Sequence, residues 1–80
     1  MSHANLRKAV LAAQAGDWHA AHQIAQDYND VTANWLHAVL HKIEGDTFNS
    51  KYWYARTDGH GYHDFYDIEA ELTAIYNMLF

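Results

Sequence analysis

Eighty residues without a single cysteine make one domain that has neither a disulfide nor a thiolate to work with. Three Trp, six Tyr and three Phe supply the packing mass that so short a chain needs. The net charge of −5 is uneven: Asp58, Asp64, Asp67, Glu69 and Glu71 follow residue 57 with no Lys or Arg among them. An acidic end and no basic stripe exclude nucleic acid as the expected partner. No apolar run reaches the roughly 18 residues of a membrane span. Arg7-Lys8 does precede an apolar stretch, Ala9 to Ala13, but a secretory core runs about 7–15 apolar residues. A cytoplasmic protein is expected.

The first predicted helix runs over about 3–15 and ends at Gly16, which suits the left-handed position just past a helix. Asp17 then caps a second helix over about 18–28. Asp30 or Thr32 opens a third, over about 32–44, which ends at Gly45 as the first ended at Gly16. Asp46 caps a fourth, over about 47–57. The run Asp58-Gly59-His60-Gly61-Tyr62-His63 reads as a loop, with Asp64 as the cap of the last helix. That helix, over about 65–79, carries Phe65, Ile68, Leu72, Ile75 and Leu79 on one apolar seam. Asp67, Glu69 and Glu71 fall off the seam and are expected in solvent. The complete absence of Pro agrees with a mostly helical chain.

The chain repeats itself. A shift of 29 residues aligns Ala4-Asn5 with Ala33-Asn34, Ala9-Val10-Leu11 with Ala38-Val39-Leu40, and Gly16-Asp17 with Gly45-Asp46. These are seven identities in fourteen columns, where ordinary composition gives about one. The expected fold is all-α: two tandem antiparallel helical hairpins, repeat 1 over about 3–29 and repeat 2 over about 32–57. The helix over 65–79 closes the open side of the second hairpin.

Gly16-Asp17-Trp18-His19-Ala20-Ala21, followed by Ile24-Ala25, resembles the second helix of a tetratricopeptide-type repeat. Ala21 falls on the small position of that pattern, with Ser50 in its place in the second unit. Ala9 and Ala38 match the small residue of the first helix. The segment from Gly45 to Arg56 is similar to Sel-like repeats, and Leu36 to Arg56 looks like a stretch of short bacterial proteins to which no activity attaches. The resemblance implies a TPR-like fold and a habit of binding a protein or peptide. The repeat, the surplus aromatics and the small size make a second copy, in a homodimer, a candidate partner. The resemblance implies no reaction.

Two constellations compete for a role. Trp35, Tyr52, Trp53 and Tyr54, with Phe48 nearby, form the densest aromatic patch. Successive helical residues point about 100° apart, so Tyr52, Trp53 and Tyr54 cannot all enter one core. The surplus makes an aromatic binding surface the favoured site. His37, His41 and Glu44 stand at i, i+4 and i+7 on one helix face, a spacing that can set two imidazoles and a carboxylate around a metal. The competing expectation is that His37 or His41 is bonded to Tyr52 or Tyr54 in the core. His19 and His22, at i and i+3 on the second helix, join the group only if the helix faces meet; the expectation is that they do not, with His19 in solvent. Asp58, His60, His63 and Asp64 read as turn residues. With only Ser2 and Ser50 as hydroxyl nucleophiles of that type and no phosphate-cradling Gly loop, no enzyme and no cofactor are expected. A non-enzymatic interaction module comes first, and a His-rich metal-binding protein second.

Overall fold

The computed structural model describes residues 3–79, which form five α-helices and no strand. They are α1 (His3–Gln14), α2 (Trp18–Ala25), α3 (Val31–Glu44), α4 (Thr47–Tyr54) and α5 (Ile68–Met78). None of them is long and apolar enough to cross a membrane.

The punctuation works twice over in the same way. Gly16 and Gly45 take φ of 85° and 82°, where a side chain would be strained. The amides of Asp17 and Asp46 reach back to the carbonyls of Ala12 and His41 at 2.8 and 2.9 Å, the six-to-one bond that closes a Schellman ending. The carboxylates of Asp17, Asp30 and Asp46 then accept from the amides of Ala20, Ala33 and Asn49 at 3.2, 3.3 and 3.2 Å. Helices α2 and α4 begin and end 29 residues apart, matching the sequence repeat. Both stop three residues earlier than predicted, because the chain turns away after Ala25 and Tyr54.

Helix α3 is the axis of the molecule. Every residue from Ala33 to Leu40 is buried, and the helix packs against the other four. A helix buried all round must satisfy its polar residues internally. Ser50, the small residue of the second unit, does this by donating to the Ala38 carbonyl at 2.7 Å, which brings α4 tight onto α3.

The C-terminal segment departs from expectation in three ways. Helix α5 starts at Ile68, not near residue 65, and Asp64 accepts from the Gly61 amide at 2.9 Å instead of capping it. The reason is Lys42, whose Nζ donates to the carbonyls of Tyr62 and Phe65 at 2.9 and 3.1 Å and so holds that stretch out of the helix. Helix α5 also does not seal the end of the second hairpin. It lies across α1 and α3, the first helices of both hairpins, with Leu72, Ile75 and Leu79 buried and Arg7 Nη1 donating to the Leu79 carbonyl at 2.7 Å. Finally, Glu71 is fully buried. Its carboxylate accepts from Trp35 Nε1 at 2.9 Å, Tyr54 Oη at 2.6 Å and Lys42 Nζ at 2.9 Å. Three donors replace the water this charge has lost.

Candidate metal centre

Two helices that belong to different hairpins bring three imidazoles together. His37 and His41 occupy successive turns of α3, so their side chains rise from the same face. His22 projects from the last turn of α2 onto that face. The Nε2 atoms of His22 and His37 are 3.1 Å apart, and one ring nitrogen from each of His22, His37 and His41 falls within 4.8 Å of the other two.

Indoles hold the first two rings. Trp18, one turn before His22, stacks on it with centroids 4.7 Å apart and planes 9° from parallel. Its Nε1 donates to the Leu40 carbonyl at 2.6 Å, which fastens α2 to α3 beside the imidazoles. Trp53 of α4 stacks on His37 at 4.0 Å and 13°. The third ring is fixed by charge: His41 Nδ1 donates to Glu44 Oε1 at 2.8 Å, leaving Nε2 as its other nitrogen. A carboxylate behind a histidine is the arrangement that orients metal-ligating imidazoles and raises their basicity.

The surroundings disfavour the charged form of two of the three rings. Burial, together with His22 and His41 alongside, pushes the His37 imidazole down to about 4. Burial also lowers His22, with His41 as the next cause and Glu44 opposing. Both rings are therefore neutral at pH 7, and between their facing Nε2 atoms one donates while the other accepts. The dimensions suit a metal as well. Two imidazole nitrogens at 2.0–2.1 Å from a tetrahedral ion stand about 3.3 Å apart, close to the separation of His22 and His37. The third nitrogen needs an inward shift of at most about 1.5 Å, within the reach of a half-buried side chain.

Of the expected ligands His37, His41 and Glu44, the two histidines belong to the group, whereas Glu44 stands behind His41. Glu44 does fall in a second group with His41 and Asp46, yet the Asp46 oxygens accept from the amide and the side-chain amide of Asn49 at 3.2 and 2.7 Å. These bonds hold the Asp46 carboxyl below its ordinary range. The expected bond from a histidine to Tyr52 or Tyr54 does not form: His37 takes Trp53, and Tyr54 takes Glu71. His19 is exposed, as expected. His60 lies flat on Trp35 at 3.7 Å and 9°, so the loop histidines do not gather around Asp58 and Asp64.

The aromatic patch is divided by the fold. Trp35 and Tyr54 are buried against α5 and its preceding loop, and Trp53 is spent on His37. Only Tyr52 of the four is exposed, with the Arg56 guanidinium 3.7 Å from its ring centroid. No pocket is formed by the described residues.

No protein-family model, curated protein or solved structure matches the chain.

Proposed function

We propose that this protein binds one divalent transition metal of the zinc class through His22, His37 and His41. The observation that carries the reading is the convergence of three imidazole nitrogens from two helices within 4.8 Å. Imidazole donors favour zinc, copper, nickel and iron over magnesium or calcium. With no cysteine in the chain, no thiolate competes for the ion. Calorimetric titration of zinc and nickel into the protein should give saturable binding of one ion per chain. His22→Ala and His37→Ala should each abolish it, and equal binding by the wild type and both variants would remove the site.

A second reading, a TPR-type module that binds a protein or a second copy, is favoured by Phe48 and Tyr52. These stand at i and i+4 on α4, exposed by 82% and 46%. Adjacent exposed aromatics are frequent anchors of protein contacts. Against the groove form of that reading, α5 already covers the first helices of both hairpins. Light scattering over a concentration series, with Phe48→Ser beside the wild type, tests it: a monomer throughout for both proteins removes self-association.

A further inference from the structure

We infer that the metal held by His22, His37 and His41 keeps its fourth coordination position open to a small anion from solution. The inference rests on the metal-binding reading and goes one step beyond it, from what the protein holds to what the held ion takes.

The argument starts from the donors. Four-coordinate sites that are purely structural are closed by four side chains, whereas three protein donors leave one position for an outside ligand. Among the described residues, the group contains three histidine nitrogens and no fourth histidine or carboxylate ligand. The neighbouring candidates are otherwise engaged. Glu44 is bonded to His41 Nδ1, Asp46 caps α4 through Asn49, and the Trp18 indole nitrogen is spent on the Leu40 carbonyl. Trp53 offers only the face of its ring. His19, one turn before His22, is exposed and outside the group.

The layout also gives the open position a direction. His37 is the buried member, while His22 and His41 are half-buried and form the rim. The unfilled side of the ion is therefore the side toward water. Three neutral donors leave the ion both its positive charges, with one carboxylate acting through His41. That balance favours an anion over a neutral ligand. Because the described residues form no pocket, selection is left to the coordination bond itself. Small ligands with one strong donor atom, of the azide, thiocyanate or carboxylate kind, fit this description; larger molecules find no wall to lie against.

Cobalt(II) replaces zinc in such sites and reports its coordination in the visible spectrum. The cobalt-loaded full chain is titrated with sodium azide and separately with thiocyanate. Expected are intense four-coordinate bands that change saturably with either anion, in the wild type and in His19→Ala alike. Bands that appear on cobalt addition but ignore both anions overturn the open position while leaving the metal site standing. Bands that ignore the anions in the wild type but respond in His19→Ala overturn it too, and assign the fourth place to His19. If no bands form at all, the three-histidine site falls and takes the open position with it.

Discussion

The Trp53 indole lies flat against His37, 4.0 Å between centroids and 13° from parallel, and Trp18 stands in the same relation to His22. Two of the three tryptophans therefore touch candidate ligands, while Trp35 stacks on His60 and donates to Glu71 away from them. Binding of copper(II) or nickel(II), which quench nearby indoles, should dim most of the intrinsic fluorescence. Trp35→Phe should leave the fractional quenching nearly intact or raise it, and Trp18→Phe with Trp53→Phe should remove nearly all of it. Quenching that survives the double substitution would put the ion elsewhere.

Glu44 offers a test of how the third ring is held. Its bond to His41 Nδ1 spans 2.8 Å on the outer turn of α3, where Glu44 is itself well exposed and adds little to folding. Glu44→Gln should weaken zinc binding by about 10–100-fold, the usual loss when the partner of a metal-bound histidine is changed. The helical circular dichroism and the thermal midpoint of the metal-free protein should stay as they are. An unchanged zinc affinity would mean that His41 is oriented by something other than Glu44.

The lowered pKa of His37 has a sign that can be checked on the metal-free protein. In the unfolded chain an imidazole takes up its proton near 6.5; in the folded chain His37 does so at about 4. Between those values the unfolded state binds the extra proton, so stability falls as pH drops from about 6.5 toward 4 and is fully present above. His22 acts in the same sense. The groups around His37 are His22 from α2, His41 on its own helix and the Trp53 ring from α4, so no carboxylate touches it to reverse the effect. Urea midpoints measured from pH 8 to pH 4.5 should decline through the lower half of that range, and His37→Phe should flatten the decline. Parallel curves for the two proteins would contradict the assignment.

What the chain discloses on inspection is the part written in local spacing. Gly16, Asp17, Gly45 and Asp46 act through neighbours a few residues away, and their roles as turns and caps appear in the structure as read. The pairing of His37 with His41 is equally local. His22 is not: whether it meets them depends on how α2 crosses α3, and that crossing is set by Trp18 reaching the Leu40 carbonyl, 22 residues along the chain. Glu71 was harder still. Its place off the apolar seam reads as solvent-facing, and only the arrival of Lys42, Trp35 and Tyr54 from elsewhere turns it inward. The same event hid half of the aromatic patch, since Trp35 and Tyr54 need a buried acceptor and no periodicity reveals where one stands.

That buried carboxylate is also the strongest lever on stability. Glu71 ties α5 to α3 and α4 through three donors, and Lys42 spends its remaining hydrogens on the Tyr62 and Phe65 carbonyls. Glu71→Ala would remove the carboxylate partner of the Lys42 charge and the acceptor of the buried Trp35 N–H and Tyr54 hydroxyl. Removing one member of a buried ion pair costs about 3–5 kcal/mol, a large share of the stability of a small domain. Glu71→Gln keeps the shape and one acceptor oxygen, so its loss should be smaller and the protein should stay folded for measurement. Urea denaturation at low temperature should rank the three proteins in the order wild type, Gln, Ala. If Glu71→Ala fell within about 1 kcal/mol of the wild type, α5 would be held by its apolar seam alone and the Lys42 network would be incidental to the fold.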